Sequence, residues 1–508
     1  MSRKLLLNSL SGTTLYTVSV IVAFIMSPIY IKALGNRDYG LWELVMSVIG
    51  YMGLLDLGIG GSLVRFVSVA DGRHDKDDLQ QTISTAFVFF ILVGAVAVLL
   101  FLLLGHSPAL IAGSEAQNIA NLGTVFALLG VDACMLFPQQ VFIATLMGVQ
   151  RHYFINGVRM ILLIARAGVT YYLLLRYEGR GLIIMALLEP GFTATQLALF
   201  AGAVHWDRNI PSIALAAVTR SKAKELITFA SKSATMLIAS RLQNQSVPLI
   251  IGNVIGLGQI VYFVLPNRLV DYAKGVSQAI GFPLTSYFGA AIGRGDHNEL
   301  LKSWLNSTLV LQTVALAMPV GIFFCGETFL GLWIGQEYAI AGRMVLYILL
   351  IGIVADSLGT NASRMLTAQG KHGRNAIIWF LLSAISIPLG IWGAYKWGLA
   401  GAAGTATAVT VLGNLITIYL ACSLMKVSMI KYLQVTLARI ALPLILLTGV
   451  LWSLTTLFPA KSYADLLVYI PVAGSIYILA VWRFTLGADM RMYLRKRFKM
   501  SLASHETT

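Results

Sequence analysis

Charged residues are scarce in this chain. Only 12% of its 508 residues are Asp, Glu, Lys or Arg, whereas 57% are hydrophobic, and the mean hydropathy is +0.78. Because soluble domains carry about 25% charged residues, this composition excludes a soluble multidomain protein. Apolar runs of roughly 20 residues, the length that crosses the hydrocarbon core of a bilayer, recur along the whole chain.

Residues for redox, metal or nucleotide chemistry are also few. The three cysteines are scattered without a CxxC spacing, which predicts free thiols and no metal site. All seven histidines fall in predicted turns or tails, so a proton relay through membrane-embedded histidine is not expected. The sequence contains no G-x-x-x-x-G-K-[ST] motif, so ATP hydrolysis by this chain is not supported. We therefore expect no enzymatic cofactor, no metal and no nucleic-acid partner.

The apolar runs predict an all-α polytopic membrane protein with about fourteen transmembrane helices. The first run begins after Ser2-Arg3-Lys4 and is too long for the core of a signal peptide, so we interpret it as a span. Glycine and proline interrupt several runs, which membrane helices tolerate where neighbours satisfy the freed backbone groups. The predicted ranges are 10–34, 38–69, 80–104, 119–147, 153–176, 181–204, 226–252, 256–291, 299–325, 341–368, 374–395, 398–424, 433–457 and 464–485.

Lysine and arginine are distributed unequally between the two sides of this arrangement. With the N-terminus in the cytoplasm, 19 basic residues fall on the cytoplasmic side and 6 on the other side. Since basic residues favour the cytoplasmic side, both chain termini are predicted to be cytoplasmic. The basic tail, 486–508, belongs to the cytoplasmic set, and no external loop is long enough to hold a soluble domain.

The chain carries an internal repeat. Residues 35–79 and 256–300 share 11 identities in 45 positions, including a charged turn that reads Gly72-Arg73-x-Asp75 in one copy and Gly293-Arg294-x-Asp296 in the other. The two copies lie six predicted spans apart, an even number, so both halves insert in the same direction as a parallel repeat. We therefore predict an N-lobe at 1–205, a cytoplasmic linker at 206–225, a C-lobe at 226–425, two added helices at 426–485 and the tail.

Several ionisable residues fall inside the predicted spans, where each charge costs at least about 2.5–3.5 kcal/mol unless a partner or a cavity meets it. The densest group is on the eighth span, where Arg268, Asp271 and Lys274 are spaced to share neighbouring parts of one face. These charges either neutralise one another or line a central cavity, and we favour the cavity. The seventh span adds Arg241 and Asn244 in a stretch too polar to face lipid.

Further candidates are less specific. Arg65 and Arg364 lie near the inner surface, where a long side chain can also snorkel to water. Asp56 suits a helix–helix contact as well as an ion site. Three acidic residues near mid-membrane have no obvious local partner and are candidate cation or proton carriers: Asp132, Glu189 and Asp356. Asp56 and Asp271 are further candidates for this role.

The motifs NSLSGTT (8–14), PIYIKALGNRDYGLWEL (28–44) and GYMGLLDLGIGGSLVRFVS (50–68), with a second block at 252–293, resemble the Wzx-type polysaccharide and O-antigen flippases. These proteins belong to the multidrug/oligosaccharidyl-lipid/polysaccharide exporter superfamily. The resemblance implies two six-helix lobes around a V-shaped cavity in the bacterial inner membrane. It also implies transport of undecaprenyl-pyrophosphate-linked sugar units, driven by a sodium or proton gradient, alongside a polysaccharide polymerase and other assembly proteins.

The bases near mid-membrane agree with this resemblance, because a diphosphate is anionic. Arg241, Arg268 and Lys274 are the candidates to hold it, with Asn244 beside them and with Arg65 or Arg364 towards the loading side. The acidic residue that family members often carry before the I-I-G stretch is absent from Gln245-Ser246-Val247-Pro248, which puts an ion site there in doubt.

Three alternatives stay open at this point. A cation or drug antiporter of the same superfamily would need an anionic, aromatic cavity, which the central bases disfavour. A peptidoglycan lipid-precursor flippase is not distinguished by charge. A membrane-embedded glycosyltransferase or polymerase would carry a sizeable external loop with catalytic acids, and the short loops disfavour it, so we expect no enzyme.

Overall fold

The computed structural model describes residues 3–108, 113, 115, 119, 121–281, 284–294 and 297–486. Within these ranges the regular secondary structure is entirely helical, and fifteen α-helices are present. The predicted basic tail lies outside the described residues except for Leu486, as does Asp296 of the repeated turn. The helices are α1 Arg3–Met52, α2 Ile59–Gly72, α3 Lys76–His106, α4 Leu122–Gly148, α5 His152–Arg176, α6 Gly181–His205, α7 Arg220–Val254, α8 Ile260–Gly281, α9 Leu284–Gly293, α10 His297–Ala315, α11 Ala317–Trp333, α12 Gln336–Ala368, α13 His372–Leu424, α14 Met429–Leu457 and α15 Tyr463–Ala480.

Ten helical stretches among the described residues are long and apolar enough to cross a membrane. Two of them, Leu10–Asp56 and His372–Leu424, run to 47 and 53 residues, more than twice the length one crossing needs. Each contains a glycine with non-helical backbone, Gly35 at φ 72° and Gly398 at φ 59°. The protein is therefore an all-α multi-pass membrane protein, as predicted, while the count of fourteen spans stays a prediction.

The predicted continuous helix over 38–69 is wrong. The chain forms a short 3-10 turn at Gly53–Asp56, and Leu57 and Gly58 then take left-handed backbone at φ 51° and 81° before α2 begins. Glycine tolerates this conformation at no steric cost. Asp56 therefore lies in the turn and Arg65 in α2, so the two residues do not stand on one continuous helix.

Two other predicted ranges are divided as well. The range 256–291 begins with a 3-10 turn at Leu257–Gln259 before α8, and the range 299–325 divides at Leu316 between α10 and α11. Gly256, before the first of these turns, has a non-helical backbone at φ 135°, which the hydropathy of a long apolar run does not report.

The chain packs as two compact units. Unit 1 comprises the residues up to Val264 together with Trp379–Ala402, and unit 2 comprises Leu265–Ile378 and the residues from Ala403 on. In unit 1, α4 packs between α3 and α6, and α1 packs against α5 and α7. In unit 2, α11 and α14 pack together, and the ring of Trp304 stacks on Tyr432 with centroids 4.9 Å apart. The predicted lobes follow the sequence repeat rather than packing, and they stay a prediction.

The turns that follow α4 and α12 have the same backbone. Gln150 at φ 64° and Gly370 at φ 67° each donate a backbone hydrogen bond of 3.0 Å to the carbonyl three residues earlier. Both turns thus end their helices with a left-handed residue, a common C-terminal cap. This likeness is local, and the repeat as a whole remains a prediction.

We predict that Gly40→Ala destabilises unit 1, because a methyl group on Gly40 of α1 would collide with the backbone carbonyl of Leu257. Overpacking of this kind costs about 1–3 kcal/mol, and a backbone atom cannot rotate away. Thermal unfolding in detergent, followed by size-exclusion chromatography with fluorescence detection, should show a lower midpoint. Gly61→Ala, which has no neighbour within 4 Å, is the control and should match the wild type. Equal midpoints for both variants would contradict this packing.

Candidate functional site

The polar group predicted on the eighth span lies on α8 in unit 2. Asn267 donates from Nδ2 to a carboxylate oxygen of Asp271 over 2.8 Å, and Nζ of Lys274 lies 3.6 Å from the other oxygen. The contacts use the spacings of four and three residues that place side chains on one helix face. Arg268 is half-buried directly after Asn267. Asp271 and Lys274 keep 54% and 30% of their side-chain surface exposed, so the pair remains accessible.

Lys274 also reaches Asp356 of α12. The charges of Lys274 and Arg364 both act on the Asp356 carboxylate, to which Asn414 and Thr360 are hydrogen-bonded. Lys274, Asp356 and Thr360 line a cavity of about 10 Å³, which is at the limit for one water molecule. The sequence shows no obvious local partner for Asp356, and in the structure helices distant in sequence bring a cation and an amide to it.

Arg364 of α12 is turned towards α8. Its guanidinium lies against Gly281, where a side chain on that residue would collide with it, and its Nη1 atom is buried without a hydrogen-bond partner in the described part of the chain. Asn414 of α13 lies in the same way against Gly359. From the sequence, Arg364 could either extend its side chain to water at the membrane surface or line a cavity. Because its guanidinium is buried against a neighbouring helix, the structure disfavours the first alternative.

Unit 1 carries a second set of polar contacts, between α7 and the end of α1. A Cβ on Gly53 would lie 3.1 Å from Nη2 of Arg241, and a Cβ on Gly50 would lie 2.5 Å from Cδ of Gln245. The two glycines therefore leave room for long polar side chains of α7. Arg241 is also close enough to Asp56 for their charges to interact.

The remaining predicted residues of this region take simpler positions. Asp56 accepts a hydrogen bond of 2.7 Å from the backbone N–H of Gly60, so it satisfies a free amide in the first turn of α2. Asn244 is exposed and donates to Ser240 one turn earlier. Asp56 thus caps the first turn of α2 and also lies close to Arg241.

Arg65 of α2 is exposed beside α7. Its guanidinium carbon lies 4.5 Å from the ring centre of Phe229 and 5.8 Å from that of Phe66, distances at which a cation is attracted to an aromatic face. Arg65 and Lys224 line one pocket of about 440 Å³. Arg65 is therefore held by aromatic rings and points its charge into an open pocket.

A third polar cluster of unit 1 lies among α4, α5 and α6. Arg166 forms an ion pair with Glu189, and Asp132 accepts a hydrogen bond from Thr193 and lies within the electrostatic reach of Arg166. Asp132 is 3% exposed, and its Oδ1 atom has no hydrogen-bond partner among the described residues. The sequence shows no obvious local partner for Asp132 and Glu189, and in the structure Arg166 of α5 serves both carboxylates.

Sequence reasoning missed the glycines that accept polar side chains. Gly50 and Gly53 occupy the repeat positions of Asp271 and Lys274, and the sequence showed only that the charges were missing there. The available signal was the neighbouring α7, whose Arg241 and Gln245 carry the long polar side chains instead. A metal site is not formed by the described residues, where no group of three or more His, Cys, Asp or Glu is suitably placed, and the three cysteines are free thiols.

Two family models match the chain. The first is described as polysaccharide biosynthesis protein and matches residues 5–282, more than half of the chain. The second, MatE, matches residues 265–392. The two matches together cover most of α1 to α13.

Individual relatives agree with these families. A protein of Shigella flexneri whose name describes an O-antigen transporter is 22% identical over 397 residues, which cover 76% of this chain and 90% of that protein. The structure of the lipid II flippase MurJ in an inward closed conformation has a TM-score of 0.71 at 13% identity and covers 94% of this chain and 98% of its own. An inward-facing multidrug resistance MATE transporter has a TM-score of 0.64 at 16% identity, covering 81% and 94%. At these identities the two structures show a shared fold.

We predict that the Arg166–Glu189 pair is coupled in stability. Arg166→Gln leaves the carboxylates of Glu189 and Asp132 without their cation in a largely buried setting and should cost about 3 kcal/mol, at the low end for a buried pair because Arg166 is 34% exposed. Glu189→Gln leaves Arg166 beside Asp132 and should cost less. The double variant Arg166→Gln, Glu189→Gln should cost less than the sum of the two single changes, since the Glu189 carboxylate has no cation once Arg166 is absent. Thermal unfolding of the four proteins measures this, and additive losses in the double variant would contradict the coupling.

Proposed function

The chain belongs to the polysaccharide biosynthesis protein family, and from this premise we propose that it moves a polyprenyl-diphosphate-linked oligosaccharide across the bacterial inner membrane. It is a multi-pass membrane transporter of the polysaccharide and O-antigen type rather than an enzyme. The proposed cargo is an O-antigen or exopolysaccharide repeat unit, and the proposed mechanism is alternating access coupled to an ion gradient.

The observation that carries this proposal is the accessible cationic group of α8. Lys274 keeps 30% of its side-chain surface exposed although it lies beside Asp271, and Arg268 is half-buried on the same helix. A diphosphate carries several negative charges and accepts charge-assisted hydrogen bonds, which Arg forms in pairs and Lys as a point charge. In unit 1, Arg241 supplies a further guanidinium on α7. We propose that Arg268 and Lys274 of unit 2 bind the diphosphate with the help of Arg364 from α12, and that Arg241 with Asn244 of unit 1 offers it a further set of donors.

The same group disfavours a cationic cargo. An antiporter for cationic drugs recognises its substrate with free carboxylates and aromatic faces. Here Asp271 and Asp356 both face Lys274, and Asp356 also faces Arg364, so their charges are already compensated. A peptidoglycan lipid precursor carries the same diphosphate, and only transport of defined sugars separates the two flippase alternatives.

The acidic clusters of the two units differ in charge balance, and this difference supports one location for the coupling ion. In unit 2 the carboxylates of Asp271 and Asp356 face two cations. In unit 1 the carboxylates of Asp132 and Glu189 face one cation among the described residues, Arg166. A buried cluster with one uncompensated negative charge favours a further cation, so we propose that Na⁺ or H⁺ binds in unit 1 beside Asp132.

The orientation of the chain is part of the proposal. The predicted excess of basic residues in one set of turns places both termini in the cytoplasm. Loading would then occur from the cytoplasm, and a polysaccharide polymerase on the other side of the membrane would consume the cargo.

Proteoliposomes that contain only this protein test the proposed function. A fluorescent polyprenyl-diphosphate oligosaccharide is placed in both leaflets, and a membrane-impermeant reagent quenches the outer pool, so the later loss of signal reports flipping. We expect flipping that depends on a sodium or a proton gradient and that empty liposomes lack. Efflux of a cationic dye without any flipping would overturn the proposal in favour of a drug antiporter.

We predict that Arg268→Gln combined with Lys274→Gln lowers the flipping rate at least about tenfold, because each lost charge-assisted hydrogen bond weakens binding by about one order of magnitude or more. Lys302→Gln, which removes an exposed charge from α10 of the same unit, is the matched control and should retain the wild-type rate. An unchanged rate in the double variant would remove these two residues from the binding site while leaving the transport function in place.

A further inference from the structure

A basic pocket at one end of unit 1 is separate from the polar clusters described within the spans. It lies between the C-terminal half of α2 and the first turns of α7, and it has a volume of about 440 Å³. Arg65, Lys224, Ser221 and Thr228 contribute polar groups to its lining. Guanidinium, ammonium and hydroxyl groups are all hydrogen-bond donors, so the pocket is equipped for an acceptor-rich anion.

Aromatic side chains fix the direction of the Arg65 guanidinium. Phe66 and Phe229 meet edge to face with centroids 5.6 Å apart, and Arg65 lies over Phe229 at 4.5 Å. Because aromatic rings attract a cation without accepting ordinary hydrogen bonds, the N–H groups of the guanidinium stay available. A planar fork held in this way loses little conformational freedom when it binds a phosphate.

A second set of contacts makes the wall of the pocket rigid. Nζ of Lys222 is 2.6 Å from Asp78 at the start of α3 and 2.8 Å from Glu225 of α7, and the Lys222 residue is 9% exposed. Burial lowers the pKa of Lys222, but its hydrogen bonds and the charges of Asp78 and Glu225 outweigh burial and raise the pKa above its ordinary value. Lys222 therefore remains an ammonium at neutral pH and ties α7 to α3.

The same contacts settle the charge of the pocket. Glu225 also lines it, but its carboxylate is engaged by Lys222. Arg65, Lys222 and Lys224 are three cations against the two carboxylates of Asp78 and Glu225, so the pocket and its wall carry a net charge of +1. An anion is therefore attracted, whereas a cation is repelled.

Helix α7 connects the pocket with Arg241. Lys224 and Arg241 stand on one unbroken helix, about 25 Å apart at a rise of 1.5 Å per residue. Helix α7 meets α2 at the pocket, through Phe229, and meets the 3-10 turn before α2 at Arg241, beside Gly53. Two groups of cationic side chains that could bind an anion thus lie along α7, one where it contacts α2 and one where it contacts the 3-10 turn before α2.

We propose that the Arg65–Lys224 pocket is a phosphate-binding site, distinct from the membrane-embedded cluster, which takes the diphosphate of the lipid-linked cargo before it reaches Arg241. This proposal rests on the proposed function for the identity of the cargo. The chemistry that the pocket recognises is a phosphate ester, which the headgroup of an anionic phospholipid also offers, and the experiment separates the two sources.

The test is native mass spectrometry of the full chain released from neutral detergent and titrated with farnesyl diphosphate. We expect two bound molecules on the wild type. Arg65→Gln with Lys224→Gln should bind one, whereas Arg268→Gln with Lys274→Gln should keep the molecule held by the pocket. Phe229→Leu retains both charges and loses the ring beneath Arg65, so affinity at the pocket should fall about threefold, as expected for one exposed cation–π contact.

Controls show whether the loss of one bound farnesyl diphosphate is specific to the pocket and to the phosphates. Arg73→Gln removes an exposed arginine from the turn that follows α2 and should bind two molecules as the wild type does. Farnesol, which lacks the phosphates, should not bind at the pocket. Parallel titration with phosphatidylglycerol separates the sources: preference for farnesyl diphosphate at the pocket supports loading of the cargo, and equal or tighter binding of phosphatidylglycerol assigns the pocket to bilayer lipid and overturns the loading role.

Binding of two molecules to the Arg65→Gln, Lys224→Gln variant with unchanged affinities would overturn the site altogether. This outcome is distinct from failure of the proposed function, which is measured by flipping of the complete lipid-linked oligosaccharide in proteoliposomes. If the wild-type protein flips its cargo but binds no farnesyl diphosphate at the pocket, the proposed function stands and the phosphate site is refuted.

Discussion

A charge or an unpaired backbone amide inside the hydrocarbon of a membrane is costly, and this constraint explains the placement of the ionisable side chains within the helices. Glu189 pairs with Arg166, Asp271 with Lys274, and Asp356 lies beside Lys274 and Arg364. Asp56 accepts from the free amide of Gly60 where α1 and α2 are separated. The polar groups that the cargo or the coupling ion would need therefore have partners, and these contacts lower the free-energy cost of placing the groups in the membrane.

The second recurring feature is a glycine beneath a long polar side chain. Arg241 lies over Gly53, Arg364 over Gly281 and Asn414 over Gly359, in contacts between different segments of one unit. A side chain at the glycine would occupy the space of the polar group. Close approach of helices through small residues is a common way to bring membrane helices together, and here it also brings donors and acceptors to bilayer depth.

The fold class could be predicted from composition and apolar run length, because both depend on the thickness of the bilayer. The breaks in the helices could not, since the left-handed Leu57 and Gly58 depend on backbone geometry that hydropathy does not report. Within the site, the contact of Lys274 with Asp271 was predictable from their spacing on one helix. The partners of Asp356 and Asp132 were not, because Asn414 and Arg166 come from other helices and only tertiary packing brings them close.

The central claim is that cations within the spans bind the diphosphate of a lipid-linked sugar. The most direct measurement is a cryo-electron microscopy structure of the protein in lipid nanodiscs with a polyprenyl-diphosphate oligosaccharide. The account predicts density for the two phosphates within hydrogen-bonding distance of Arg268 and Lys274. Phosphate density away from these residues, with Lys274 still paired with Asp271, would contradict it.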